Sequence, residues 1–189
     1  HFITELDKQI LLFINASNTP FLDMLMTSIS NKYLWIPLYL LLLIVITIRF
    51  KKLTPFIILI VILAIVLADQ GSVIFFKNIF HRLRPCHNDE LKHLLHLVNG
   101  KCGGRFGFIS SHAANTTALT TTVVLLFGKK HKWLISIFIL YTILNCYSRI
   151  YLGVHYPSDI VAGAIYGIIS GYVAIKLFTC LFRIKISPN

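Results

Sequence analysis

Residues 55–68 read PFIILIVILAIVLA, fourteen positions in a row without a polar side chain. Extended to 79, the stretch exceeds the ~20 helical residues that cross about 30 Å of hydrocarbon. Working outward, residues 34–48 are apolar except for Thr47, and further mainly apolar runs lie at 118–128, 133–144 and 160–182. One such run fits the core of a soluble protein. Five in a chain of 189 residues that is 56% apolar point to a bilayer instead. The expectation is an all-α integral membrane helix bundle, one domain over 1–189 with spans near 33–49, 54–79, 112–128, 132–149 and 158–182.

Ahead of the spans, Phe2, Ile3, Leu6, Ile10 and Phe13 fall at helical spacing, with Glu5, Asp7 and Lys8 elsewhere on the turn. This predicts an amphipathic helix lying on the membrane surface, within an interfacial segment over 1–31. Asn18, Thr19 and Pro20 break it, and a second short helix over 21–30 follows. In the last span Gly163, Gly167 and Gly171 recur every fourth residue, a smooth stripe for close helix packing.

The formal charge of +11 invites nucleic acid, yet no nucleic-acid motif accompanies it, and no such partner is expected. Instead the cations fall in clusters between spans. Arg49, Lys51 and Lys52, then Lys129, Lys130 and Lys132, then Arg183 and Lys185 occupy one side in bare, short connections. The positive-inside rule makes that side cytoplasmic. Lys77, Arg82, Arg84, Lys92, Lys101, Arg105 and Arg149 lie on the other side among histidines, serines and an aspartate. That company gives them a chemical use and makes their side extracytoplasmic.

Three short stretches carry the chemistry. Lys77 and Arg84 are seven residues apart, almost two turns, so both face one way if the helix persists; Pro85 disfavours helix at Arg84. Ser110 and Ser111 precede the third span after Gly103, Gly104 and Gly107, where serine is an ordinary N-cap. The same helix start offers N–H groups to an anion, and His112 follows directly. Ser148 and Arg149 end the fourth span; His155 and Asp159 flank Pro157 at the start of the fifth. Asp159 lies four residues from His155, placed to fix its tautomer and free the other nitrogen to attack. Two histidines, a carboxylate and cations on one membrane face fit phosphoryl transfer through a phosphohistidine. His155 attacks, His112 moves the proton, and Lys77, Arg84 and Arg149 hold the phosphoryl oxygens. These cations leave no need for a metal or cofactor.

The pattern Lys77-x6-Arg84-Pro85, Ser110-Ser111-His112 and Ser148-Arg149-x5-His155-x3-Asp159 closely resembles the type 2 phosphatidic acid phosphatase family, which shares its motifs with bacterial acid phosphatases and vanadium haloperoxidases. The resemblance covers 77–159. It implies His155 as nucleophile, His112 as general acid and base, Asp159 as partner of His155, and Lys77, Arg84, Ser110, Ser111 and Arg149 as the phosphate pocket. One departure is visible: the family's second motif usually reads Pro-Ser-Gly-His, whereas this chain has Ile109-Ser110-Ser111-His112.

Cys86 and Cys102 flank the loop between the second and third spans. On an oxidising side they are most simply a disulfide. A metal site using His87, His93 or His96, or two free thiols, are the other readings. Leu91, Leu94, Leu95 and Val98 predict a short loop helix over 89–98, placed to act as a lid. A lipid phosphate in the bilayer is the expected partner, in a bacterial inner membrane with the site facing outward. Undecaprenyl pyrophosphate is the favoured substrate, on family analogy and the chain's brevity. Phosphatidylglycerol phosphate, phosphatidic acid and lipid A phosphates follow. A lipid transporter or lipid-binding protein would differ in having polar residues through the spans, or in lacking His155, His112 or Asp159.

Overall fold

Pro20, Pro37, Pro55 and Pro157 each stand at the first or second position of a helix, where the missing N–H has no intrahelical partner to lose. The structure, a computed structural model, describes residues 2–182. Its helices are α1 (Phe2–Ala16), α2 (Pro20–Ser30), α3 (Ile36–Phe50), α4 (Thr54–Gly71), α5 (Asn78–Phe80), α6 (Ser111–Phe127), α7 (Lys132–Tyr151) and α8 (Pro157–Phe182). A π-helical stretch, Ser72–Lys77, joins α4 to α5. The expected spans correspond to α3, α4 with α5, α6, α7 and α8. Arg183 and Lys185, the third cluster expected on the cytoplasmic side, lie outside the described residues.

By length and composition, three continuous helical stretches can cross a membrane: Lys32–Phe80, Lys132–Tyr151 and Pro157–Phe182. The first turns back at Lys51, whose φ of 45° separates α3 from α4. Leu42 and Ile46 of α3 then pack in one core with Ile57, Ile60 and Ala64 of α4. Helix α6 is shorter and threonine-rich, and it is the centre of the bundle. Ala113, Ala114, Ala118 and Val123 are buried, while Thr116 and Thr120 return their hydroxyls to backbone carbonyls. The glycine stripe of α8 faces it. A Cβ at Gly163 would meet the Ser110 carbonyl at 2.6 Å, and at Gly171 the Ala118 carbonyl at 2.8 Å.

The outer surface of this bundle is apolar. Leu59, Ile62 and Val66 on α4, Leu140 and Ile143 on α7, and Ile165, Ile168 and Ile169 on α8 are all exposed. Water would not tolerate such a belt, and lipid covers it without cost. The chain is an integral membrane protein.

Two elements differ from the sequence expectation. Helix α1 turns its apolar Leu6, Ile10 and Phe13 outward and buries Asp7, Leu11 and Asn15. Asn15 donates to the Tyr151 and His96 carbonyls at 2.7 and 2.9 Å. The helix is therefore docked on the protein through its polar residues, with lipid or headgroups left to its apolar side. The outer loop, expected to hold a short helix, passes instead through turns over 89–94 and a 3-10 turn at Val98–Gly100. A helix that short is poorly nucleated. Leu91 and Leu95 instead insert against Leu11 and Tyr156.

Candidate active site

At the end of the bundle away from Lys51, helix starts and loop segments bring the sequence-predicted residues together. His155 lies in the connection between α7 and α8 and is only 1% exposed. Its Nδ1 is 3.4 Å from Asp159 Oδ2, which also accepts the Tyr156 N–H at 3.0 Å. Burial pushes the His155 imidazole well below its ordinary titration range, and the charges of Arg84, Arg149 and Lys77 push the same way. The ring is thus held neutral, with a lone pair available, beside three cations.

Each cation arrives by a different route. Lys77 ends the π-helical stretch, a local widening often found at functional positions. It donates to Ser111 Oγ at 2.6 Å, and Ser72 Oγ lies 2.6 Å from the same hydroxyl. Ser111 stands where the family's motif has glycine, so the departure adds an anchor for Lys77. Ser110 is the N-cap of α6, accepting from the Ala113 N–H at 3.4 Å. The two serines, alike in sequence, have separate jobs.

Arg84 does not share a helix face with Lys77. The helix stops at Phe80, and His81 takes a left-handed conformation at φ 48°. The chain then runs extended, pairing Leu83 with Phe106 in an antiparallel bridge. Arg84 Nη1 donates to the Cys102 carbonyl at 3.0 Å and Nε to the Phe106 carbonyl at 3.4 Å. Gly107 permits this approach, since a Cβ there would come within 3.1 Å of Arg84 Cγ and 3.2 Å of Asp159 Oδ2. Cys86 and Cys102 form a disulfide with Cα atoms 5.9 Å apart. The bond ties together the two strands that aim Arg84 and uses both sulfurs of the Cys86–His87–Cys102 group that a metal would need. His96 is engaged elsewhere, 2.8 Å from Asp23.

Arg149, near the end of α7, donates to Ser30 Oγ at the end of α2. Its Nε is buried without a partner among the described residues. An unpaired donor of this kind is costly unless an anion completes it. Lys92, Lys101 and Arg105, grouped with these cations by sequence side, are exposed and outside the cluster.

His112 stands apart from His155 in setting. It faces a cavity of about 530 Å³ that runs between α3, α4, α6 and α7, with Ser30, Asn115 and Asn145 among its polar lining and Leu42, Ile46 and Leu119 among its apolar lining. One end is polar and the rest is apolar, the form of a phosphorylated head joined to a hydrocarbon chain.

Sequence reasoning missed Arg82 and Asp7 as site residues. Arg82 Nη1 donates to Asp159 Oδ1 at 2.8 Å, and Nη2 to Asp7 Oδ2 at 2.7 Å. The available signal was Asp7 lying in register with Leu11 and Asn15, a polar residue on a stripe that turned out to be buried.

A model of the family described as the PAP2 superfamily matches residues 55–183. The chain is 38% identical over 174 residues to a lipid A 4'-phosphatase of Bacteroides thetaiotaomicron, covering 91% of this chain and 76% of the relative. It is 34% identical over 181 residues to a lipid A 4'-phosphatase of Porphyromonas gingivalis, covering 94% and 75%. An undecaprenyl-diphosphatase of Sulfolobus acidocaldarius is 29% identical over 167 residues, covering 87% and 74%. Among solved structures, Aquifex aeolicus LpxE matches with a TM-score of 0.60 at 29% identity, covering 89% of this chain and 93% of the other. A PAP2-type phosphatidylglycerolphosphate phosphatase from Bacillus subtilis matches with a TM-score of 0.71 at 19% identity, covering 98% and 90%; at that identity it supports the fold alone.

Proposed function

The chain belongs to the PAP2 superfamily, and from that premise we propose that this lipid-phosphate phosphatase removes phosphate from lipid A through a phosphohistidine formed on His155. The observation that carries the mechanism is the convergence of Lys77, Arg84 and Arg149 on a buried, carboxylate-braced histidine. His155 donates its lone pair to phosphorus as the phosphorus–oxygen bond to the lipid breaks. His112 gives its proton to the departing oxygen. His112 then takes a proton from water, whose oxygen attacks phosphorus and breaks the phosphorus–nitrogen bond, releasing phosphate and neutral His155. The cations stabilise the charge that gathers on the phosphoryl oxygens in both steps. Activity is therefore expected to survive a metal chelator and to be inhibited competitively by vanadate.

Undecaprenyl pyrophosphate, favoured from sequence, gives way to lipid A as the substrate. The two lipid A 4'-phosphatases share 38% and 34% identity with the chain, against 29% for the undecaprenyl-diphosphatase. The cavity wall supports the same choice. Asn115, one turn from His112, donates to Asp69 at 3.0 Å, and its Oδ1 is buried without a partner among the described residues. Acceptors in that place suit a sugar head group with O–H and N–H donors, whereas a prenyl chain has none. The outward-facing active site in the bacterial inner membrane rests on the cation distribution.

The deciding experiment is phosphate release in water by the purified protein from a panel of lipid phosphates. Lipid A is expected to be the best substrate. Preference for undecaprenyl pyrophosphate rejects the substrate and leaves the class standing. Turnover that requires an acceptor other than water makes the protein a transferase.

A further inference from the structure

Arg82 lies between the two halves of a network outside the family's named motifs. Three of its N–H groups are taken by protein acceptors: Nη1 donates to Asp159 Oδ1 at 2.8 Å and to Ser158 Oγ at 2.6 Å, and Nη2 to Asp7 Oδ2 at 2.7 Å. Its guanidinium sits 4.1 Å from the centre of the Tyr156 ring, a cation–π contact that helps hold it in place. Asp7 in turn accepts the Ser158 N–H at 2.9 Å and the Ser158 hydroxyl. A carboxylate from α1 therefore caps the start of α8, satisfying a free N–H and meeting the positive end of the helix. The next residue along α8 is Asp159.

We propose that Arg82 and Asp7 are positioning residues for the His155–Asp159 pair, which makes helix α1, outside the matched 55–183, part of the reactive unit. The inference rests on the phosphohistidine reading above. Arg82 occupies Asp159 Oδ1 so that Oδ2 is left for His155 and the Tyr156 N–H. It also bridges two carboxylates, Asp7 and Asp159, which are 5% and 0% exposed in their side chains, and offsets part of their repulsion. Without the guanidinium, two buried acids on either side of Ser158 repel each other, and a proton shared with Asp159 removes the acceptor that sets the His155 tautomer. Asp7 acts one step further out, by holding the first turn of α8 in place.

The proposal separates from two other roles by its kinetic signature. A phosphate-binding arginine would weaken inhibition by inorganic phosphate along with any loss of turnover; a plain structural tie would change unfolding and leave turnover intact. The experiment compares wild type, Arg82→Gln, Arg82→Lys, Asp7→Asn and the Arg82→Gln/Asp7→Asn double variant, purified in detergent. It measures phosphate release, phosphate inhibition and thermal unfolding. Arg82→Gln should lower kcat about 100-fold, the scale of an ångström's misplacement of reacting groups, with KM and phosphate inhibition within about threefold. Arg82→Lys should recover part of the loss. Asp7→Asn should cost about tenfold, and the double variant should lose less than the product of the two, because the residues act as a unit. If Arg82→Gln fails to fold, the near-isosteric Asp7→Asn carries the test alone. Wild-type kcat in Asp7→Asn and Arg82→Lys, or phosphate inhibition weakened more than about threefold in Arg82→Gln, overturns the proposal. An inactive wild type instead overturns the phosphatase reading on which it rests.

Discussion

The two ends of the bundle carry similar sets of cations and use them in opposite ways. Around Lys51, the side chains of Arg49, Lys51, Lys52, Lys130 and Lys132 are exposed, and they form no ion pair among the described residues. At the other end Lys77, Arg82, Arg84 and Arg149 are partly buried, each with a named partner. Exposed cations keep their hydration and interact with headgroups as diffuse charge. Partly buried ones have given up water, so their fields are strong and short-ranged. Only the second kind can stabilise a phosphoryl group in transit.

The sharpest way to break this comparison is at its centre. His155→Ala should reduce phosphate release by about 10³-fold or more, as loss of a nucleophile does, while the protein remains folded in detergent; retained turnover removes the mechanism. His112→Ala should fall in the 10²- to 10⁴-fold range for a general acid. Next come the cations themselves. Arg149→Ala and Arg84→Ala should each cost about 10²- to 10³-fold in kcat, in line with removal of a charge-stabilising donor. Lys51→Ala and Lys130→Ala should leave kcat within about twofold. Equal losses at both ends would mean that burial is not what divides the two sets.

Smaller effects sharpen the picture. Replacing both Cys86 and Cys102 by serine opens a loop whose closure is worth about 3 kcal/mol. The unfolding midpoint should drop, and KM should rise because the Cys102 carbonyl no longer holds Arg84. The pH dependence has a defined sign. His155 titrates below 6.5 because burial and three cations oppose its charging, so the reactive neutral form persists as pH falls past 6.5. The acid limb of kcat/KM should therefore lie below 6.5; a limb above it would place His155 in a solvated setting. Stability moves against activity here. Below 6.5 the unfolded chain takes up a proton that folded His155 refuses, so this residue's contribution to stability is lost as pH falls.

Much of the site could be read from spacing alone. Lys77, His112, Arg149 and Asp159 lie at or near helix ends whose positions hydropathy predicts, Arg84 and His155 lie in the connections that follow or precede them, and four residues between His155 and Asp159 are a local matter of one helical turn. Arg82 and Asp7 could not be read in this way, because they meet across 75 residues and on different elements. The inward face of α1 was misjudged for a related reason. Polar residues on an amphipathic helix are assigned to water by default, and here Asp7 and Asn15 had partners in the protein and the apolar face had lipid.

What the sequence alone determined is the membrane bundle, its helix boundaries and the identity of the three motifs, since hydropathy and short-range spacing are properties of single segments. Tertiary structure decided which cations are drawn in, partly buried, around His155, which serine anchors Lys77 and that α1 packs beside Asp159. Those outcomes depend on burial and on hydrogen bonds between distant segments, and both come into being only when the helices pack.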